Sequence, residues 1–265
     1  MASTTQDNKF KQFFKKYKKI WITLLVIAIW IIIWQVMAMI VNREILIVSP
    51  LSVVINTGRL MGTGEFYFTI WTSFYRIMLG FLLATVVAII LAFLSYKVPF
   101  IKAFLQPPMV ILKAVPVVSF IIILLVALRT REFLPIIITF MMGLPIMYTN
   151  TLSGLENTSS EQLEMAQVFK LSKPKKIIYI YGLNSMPFFV SGVKIAVGLC
   201  WKSGVAAELI GLIDNTIGDE LYFAKLGLEM ANLFSWTLVI VALSIISEKL
   251  LVFGLKQLQK RVCLG

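Results

Sequence analysis

The sequence predicts an all-α integral membrane protein with about six transmembrane helices. Its mean hydropathy is +0.88 and only 14% of its residues are charged, whereas roughly 25% are charged in an ordinary soluble domain. A span needs about 20 mostly apolar residues to cross the hydrocarbon core. Six segments meet this requirement: Ile20 to Val41, Phe68 to Tyr96, Phe104 to Leu128, Phe133 to Leu152, Ser185 to Leu212 and Leu233 to Phe253.

The first apolar segment follows a lysine-rich tail, residues 1–19, which resembles the start of a signal peptide. The apolar run is too long for a signal peptide and lacks a convincing small-x-small cleavage site. We therefore interpret residues 20–41 as an uncleaved first span. Residues 42–67 form an external loop with a possible short helix, residues 68–253 form the core domain, and residues 254–265 form a C-terminal tail.

The basic residues predict the orientation of the spans. With the N-terminus inside, the cytoplasmic side carries Lys9, Lys11, Lys15, Lys16, Lys18, Lys19, Lys97, Lys102, Lys170, Lys173, Lys175, Lys176, Lys249, Lys256, Lys260 and Arg261. The other side carries only Arg43, Arg59, Arg129, Arg131 and Lys225. The positive-inside rule then places both termini in the cytoplasm. The net charge of +12 follows mostly from this topology and not from nucleic-acid binding, since we find no nucleic-acid motif.

The absence of histidine and the positions of the two cysteines exclude several kinds of site. The chain has no histidine, and its two cysteines, Cys200 and Cys263, lie in the fifth span and the tail. We therefore expect no metal site, no disulfide and no histidine base. A phosphate-binding G-x-x-x-x-G-K-[ST] loop is absent, because Lys202-Ser203 lacks the preceding glycine. If ATP drives transport, another chain must bind it.

Prolines mark the third and fourth spans. They are Pro107, Pro108, Pro116, Pro135 and Pro145. Proline frees backbone groups that then need protein or water partners, so these spans should face the bundle interior or a cavity. Packing kinks and a gating role are both compatible with this pattern.

A polar segment of about residues 156–183 separates the fourth and fifth spans. Thr158-Ser159-Ser160-Glu161 has the pattern of a capping box, which predicts a helix starting near Ser159. Ser172 and Pro174 predict the start of a second helix. Three lysines, Lys173, Lys175 and Lys176, would cluster at its beginning. Anionic lipid head groups, a partner protein or topology alone would each account for them.

Several motifs resemble one family of transport proteins. They are I-V-S-P-L-S-V-V at Ile47 to Val54, S-F-Y-R-I-M-L-G-F at Ser73 to Phe81, L-K-A-V-P-V-V-S-F at Leu112 to Phe120, and the stretch from E-M-A-Q-V-F-K-L-S at Glu164 through P-F-F-V-S-G-V-K-I-A-V-G-L-C-W-K-S-G-V-A-A-E-L-I-G. In this order they resemble the permease subunits of binding-protein-dependent ABC importers, nitrate/sulfonate/taurine branch. The resemblance implies the type I permease fold.

The resemblance also implies a role for the polar segment. In the family, an E-A-A-x-x-x-G loop forms coupling helices that dock in a groove of the ATPase subunit, and Glu164, Met165 and Ala166 fill the E-A-A positions. The implied ATPase-coupling residues are Glu161, Glu164, Met165, Ala166, Phe169, Lys170 and Leu171. Lys170 replaces the family glycine, and lysine tolerates positive φ poorly. We therefore expect a shifted turn or a less sharp bend there.

A few residues inside the spans are candidates for the translocation path. These candidates are Lys113, Pro116, Trp201, Lys202 and Glu208. Lys202 lies deepest, and a buried ion pair is its alternative role. Lys194 near the inner end and Glu208 near the outer end are expected to snorkel. They are about 20 Å apart along the helix and cannot pair.

We interpret the chain as the permease subunit of an ABC importer in the plasma membrane of a prokaryote, moving a small anionic or organic solute. It would bind no cofactor itself; ATP and Mg²⁺ would be bound by the partner ATPase. The expected partners are two cytosolic ATPase subunits, an extracytoplasmic solute-binding protein, membrane lipid and a second copy of the chain. The alternatives are a stand-alone channel or secondary transporter, with few ion-coupling groups, and an intramembrane enzyme, without a catalytic constellation.

Overall fold

The computed structural model describes the backbone of residues 3–41, 43 and 46–264 and the side chains of residues 21–41, 43 and 46–261. Over these residues the chain is helical, with eleven α-helices. They are α1 Ser3–Val41, α2 Pro50–Leu60, α3 Gly64–Lys97, α4 Pro99–Ala114, α5 Val117–Ala127, α6 Leu134–Glu156, α7 Ser160–Val168, α8 Lys173–Lys176, α9 Leu183–Gly211, α10 Ile217–Leu226 and α11 Met230–Leu264. The side chains of the six N-terminal lysines and of Cys263 lie outside the described part.

Five helical segments of the described chain are long and apolar enough to cross a membrane, or six if the bent pair α4 and α5 counts as one. The third span was expected to be one helix from Phe104 to Leu128. That expectation is wrong, because α4 and α5 meet at an angle of 101°. Pro116 is the cause. It lacks a backbone N–H, and the residue before a proline avoids helical angles; Val115 accordingly has φ −76° and ψ 133°.

The chain divides into two compact units. The smaller comprises residues up to Leu60 and Ala224–Ser235. Within it, the amide of Asn56 donates hydrogen bonds to Asn232 Oδ1 at 2.6 Å and to Ser235 Oγ at 3.1 Å. The indole of Trp34 lies 6.0 Å from the ring of Phe234. These contacts join α1, α2 and the start of α11.

The larger unit comprises Met61–Phe223 and Trp236–Gly265. Its centre is α6, which packs against α3 on one side and α9 on the other. Small residues allow this approach. Ala84 and Ala88 of α3 are fully buried, and a Cβ atom at Gly154 of α6 would lie 2.8 Å from Ser185 Cα of α9. Close backbone contact between small residues is typical of membrane helix interfaces.

Candidate functional site

The polar segment between α6 and α9 forms the predicted pair of short helices. The helix α7 begins after Ser159, and the Ser159 hydroxyl accepts the backbone N–H of Gln162 at 3.3 Å. The predicted start near Ser159 is confirmed. The expected capping box is wrong by one residue, since Ser159, and not Thr158, caps the helix. The Thr158 hydroxyl is buried and has no hydrogen-bond partner among the described residues.

At the end of α7, Lys170 adopts a left-handed conformation, which glycine adopts more readily than lysine. Its φ is +49°, in the left-handed region. The N–H of Lys170 donates to the carbonyl of Gln167, and the N–H of Leu171 donates to the carbonyl of Ala166, both at 3.0 Å. This pair of bonds is a Schellman motif, which usually has glycine at this position. The two hydrogen bonds thus hold the lysine in a conformation that it disfavours, while the expected shift or weaker bend relative to the family stays a prediction.

The coupling candidates divide into an inner and an outer set. Ala166 faces inward and is 2% exposed, and Leu171 is half-buried. Glu161, Glu164 and Lys170 are exposed. An apolar patch, formed by Met165, Val168 and Phe169, lies beside them.

The three side chains of this patch are 50%, 78% and 73% exposed. Contiguous exposed apolar side chains mark interaction surfaces. Val168 was missed by the sequence reasoning, although its spacing gave the signal: residues 165, 168 and 169 fall on one helical face. The outer surface of α7 thus combines carboxylates with an apolar patch.

This outer surface is connected to the fifth span. The side-chain amide of Asn184, in the first turn of α9, donates a hydrogen bond to Gln162 Oε1. Between α8 and α9 the chain forms one π-helical segment, Ile177–Gly182. Such segments often occur at functional sites. Gln162 of α7 is thus bonded to the first turn of α9, and from α8 through the π-helical segment to α9 the backbone is continuously helical.

Two of the path candidates flank the break between α4 and α5. Lys113 lies in the last turn of α4, is exposed, and donates a hydrogen bond from Nζ to Thr149 Oγ1 of α6 at 2.7 Å. Pro116 caps α5 and is also exposed. Lys113 Nζ therefore has a neutral protein partner, and no carboxylate of the described residues lies within 4.0 Å of it.

Lys202 lies on a surface of α9 that is open in the single chain. Its side chain is exposed, and so is that of Lys194. No carboxylate of the described residues lies within 4.0 Å of either ammonium. A Cβ atom at Gly198, one turn before Lys202, would meet nothing within 4 Å. The buried ion pair considered for Lys202 is therefore absent from the part of the chain that is described.

The other two path candidates are buried. Trp201 is 0% exposed and donates its indole N–H to Ser247 Oγ of α11 at 3.3 Å. Glu208 is also 0% exposed, so the expectation that it snorkels is wrong. No hydrogen bond or ion pair joins any two of the five path candidates within the described side chains.

Glu208 instead holds the segment after α9. Its Oε2 accepts the hydroxyl of Ser73 at 2.9 Å and the N–H of Gly218 at 3.3 Å. The same Ser73 hydroxyl accepts the N–H of Ile217 at 2.9 Å. A Cβ atom at Gly218 would lie 2.4 Å from Glu208 Cβ. The carboxylate thus fastens the start of α10 to α3 and α9, and only glycine fits the approach.

Known proteins resemble the chain over this same region. It matches the family described as binding-protein-dependent transport system inner membrane component over residues 84–262. The match includes the α4–α5 break, the polar segment and α9; the patterns at Ile47 to Val54 and Ser73 to Phe81 precede it.

Curated relatives extend the comparison. The nitrate import permease protein NrtB of Synechococcus elongatus is 28% identical over 197 residues, 69% of each chain. SsuC of Bacillus subtilis, provisionally named an aliphatic sulfonates transport permease protein, is 25% identical over 71% of this chain and 68% of its own. The bicarbonate transport system permease protein CmpB of Synechococcus elongatus is 25% identical over 65% and 68%.

The family match covers more than half of the chain, and the helices of the described residues agree with it. The chain therefore belongs to the binding-protein-dependent transport system inner membrane component family, as a multi-pass ABC importer permease with the type I fold, in the nitrate, sulfonate and bicarbonate branch.

Proposed function

We propose that the chain moves a small anion into the cytoplasm, using ATP that a separate ATPase subunit binds with Mg²⁺ and hydrolyses. Two copies of the chain would work with two ATPase subunits and an extracytoplasmic solute-binding protein. Both termini and the α7 surface would face the cytoplasm, in accordance with the lysine distribution. This orientation puts α7 where a cytosolic protein can reach it.

The observation that carries the proposal is the outer surface of α7. It presents Glu161 and Glu164 beside the apolar patch on a helix that lies between two spans and contacts α9. Partner contacts typically bury such apolar anchors and surround them with polar groups. The family relationship supports an ATPase as the partner. Closure of that ATPase on ATP binding would move α7, and with it α9.

The solute class is inferred from the lysines of the spans. Lys113, Lys194 and Lys202 are exposed and lack a carboxylate partner in the described chain. An uncompensated cation inside a membrane is costly unless it faces water or a charged solute. The relatives are named for nitrate, sulfonates and bicarbonate, all of which are anions. We therefore place an anion path along these lysines, with Pro116 at the bend beside Lys113.

Replacing residues of the α7 surface tests this function. Val168→Asp and Glu164→Lys should each weaken ATPase association by about tenfold or more, the size expected when an interface anchor is lost. Insertion of the chain should remain normal, because both side chains are exposed. The measurements are co-purification with the ATPase, and solute uptake and ATP hydrolysis in reconstituted vesicles.

Leu258→Asp is the matched control for Val168→Asp. Leu258 is 57% exposed and lies in the C-terminal part of α11, so the same charge enters an exposed apolar position away from α7. The control should retain complex yield and uptake. Unchanged association and uptake in both α7 variants would reject the coupling role of this surface.

A further inference from the structure

An apolar groove lies at one end of the larger unit. Its volume is about 310 Å³, and its wall is formed by α3, α6, the π-helical segment and α9. The apolar lining includes Ile89, Phe93, Leu155, Ile177, Met186 and Phe189. Such a wall suits hydrocarbon, and it gives a polar or charged solute almost no partner.

One end of the groove carries positive charge. The ammonium of Lys97 lies 5.0 Å from the ring centroid of Phe93, a lining residue. Lys173 precedes the lining residue Ile177 by one helical turn, and Lys176 is adjacent to it in sequence. Lys97 ends α3 and Lys173 begins α8, so these lysines mark the polar end of the groove.

Aromatic hydroxyls occur at the same end. Tyr181 lines the groove, and its ring packs edge-on against that of Tyr96, with 5.5 Å between centroids. Tyrosine is enriched at the boundary between membrane and water, where its hydroxyl meets the lipid head groups. In the orientation of the proposed function, this boundary is the cytoplasmic surface of the membrane.

Two hydroxyl groups in the wall have no partner. Thr151 is 6% exposed and Ser185 is 8% exposed, and neither side-chain oxygen has a hydrogen bond among the described residues. Both residues line the groove. Both oxygen atoms are themselves fully buried, so they offer no hydrogen bond to an occupant of the groove, and its wall is effectively apolar.

We propose that the groove is a binding site for one anionic phospholipid of the cytoplasmic leaflet. One acyl chain lies against the apolar wall, and the phosphate lies among Lys97, Lys173 and Lys176. An amphiphile with a negative head matches both the apolar interior and the basic end. The inference rests on the proposed function for the orientation of the membrane only.

Native mass spectrometry of the full chain tests the site. The chain, purified without ATPase, is incubated in detergent with equal amounts of phosphatidylglycerol and phosphatidylcholine, and the retained lipid is counted. Ile89→Trp should fill the groove and lower retention several-fold. Ile90→Trp is the matched control, because Ile90 is adjacent to Ile89 and also exposed but does not line the groove.

The lysines are tested by charge removal. The triple variant Lys97→Gln, Lys173→Gln, Lys176→Gln should lose preference for phosphatidylglycerol, by about fivefold per lysine at most, while still retaining lipid. The control triple, Lys249→Gln, Lys256→Gln, Lys260→Gln, removes equal charge from α11 and should keep the preference. These exposed or half-buried positions also keep the proposal testable if the tryptophan variant folds poorly.

Several results would overturn the lipid site. They are equal retention of both lipids by the unmodified chain, equal effects of the two tryptophan variants, or equal effects of the two lysine triples. A groove covered instead by a second copy would show dimers whose yield falls in Ile89→Trp with no change in bound lipid. None of these measurements involves ATP or solute, so failure here leaves the transport proposal standing.

Discussion

The turn after α7 predicts that replacing Lys170 with glycine stabilises the coupling segment. Lys170 has φ +49°, and the left-handed conformation costs an L-residue roughly 1–2 kcal/mol. Glycine avoids this cost, but its larger loss of conformational entropy on ordering costs about 0.5–1 kcal/mol more in free energy. The net gain in the free energy of local opening is therefore about 0.5–1 kcal/mol. This corresponds to about a two- to fivefold smaller opening equilibrium constant.

Amide hydrogen exchange of the full chain in lipid nanodiscs measures this change, because exchange reports local opening. The amides to follow are those of Lys170 and Leu171, whose hydrogen bonds close the turn. In Lys170→Gly their exchange should be about two- to fivefold slower. In Lys170→Ala the charge is lost but the Cβ atom remains, so no such gain is expected.

A second lysine provides the opposite test. Lys175 lies inside α8 with helical geometry, where glycine destabilises by about 0.5–1 kcal/mol. Lys175→Gly should therefore make amide hydrogen exchange in α8 faster, although the substitution is chemically the same as at Lys170. Equal protection in the glycine and alanine variants of Lys170 would show that charge, and not backbone conformation, governs the turn. Faster exchange in Lys170→Gly would refute the strain argument outright.

Three other substitutions test the remaining parts of the structure. Lys202→Met should lower anion uptake in vesicles while complex yield and ATP hydrolysis stay normal. The control Lys225→Met, on the proposed outer side, should leave uptake, complex yield and ATP hydrolysis unchanged. Poor assembly of Lys202→Met would indicate a structural role instead. Gly218→Ala should destabilise the protein by more than about 1 kcal/mol, because the added Cβ atom would lie 2.4 Å from atoms of α9. At Gly198 an added Cβ atom meets nothing within 4 Å, so Gly198→Ala should be tolerated. Size-exclusion profiles recorded after graded heating measure the stability of both variants. Burial, together with a neighbouring carboxylate of α3, raises the pKa of Glu220. The folded state therefore holds the proton of Glu220 more tightly than the unfolded state does. The contribution of Glu220 to stability consequently falls as pH rises above the unfolded pKa of about 4.3. Glu220→Gln should therefore unfold at a higher temperature than the unmodified chain at pH 8, and the difference should shrink toward pH 4 in tryptophan-fluorescence melting; a constant difference would contradict the assignment.

Most of the fold was predictable because hydrocarbon imposes a simple requirement on sequence. A spanning helix must be long and apolar, so five of the six predicted segments correspond to single long helices. The third segment failed at Pro116. A proline inside a span predicts a kink, but the size of the bend depends on tertiary packing, which the local sequence does not encode.

The site was predictable where local hydrogen bonds determine it. The start of α7 near Ser159 was predictable from the local sequence, although the capping hydroxyl is that of Ser159 and not that of Thr158, one residue earlier. Lys170 was harder, because the Schellman bonds outweigh the intrinsic preference of lysine. Glu208 was predicted wrongly, since its burial depends on Ser73 and Gly218, which are 135 and 10 residues away.

The Glu208 network and the α7 surface suggest how the two ends of α9 differ in mechanical role. At the end near α10, the Glu208 side chain binds α3 and the start of α10 through buried hydrogen bonds, and breaking them would leave buried polar groups unsatisfied, which is costly. At the α7 end, the contact through Asn184 is exposed, and regions held by solvent-exposed hydrogen bonds open more easily than buried ones. When α9 is displaced, its α7 end should therefore move more than its α10 end. Closure of a partner bound to α7 would bend the inner end of α9 while its outer end stays fixed, so Lys194, near the moving end, should shift further than Lys202.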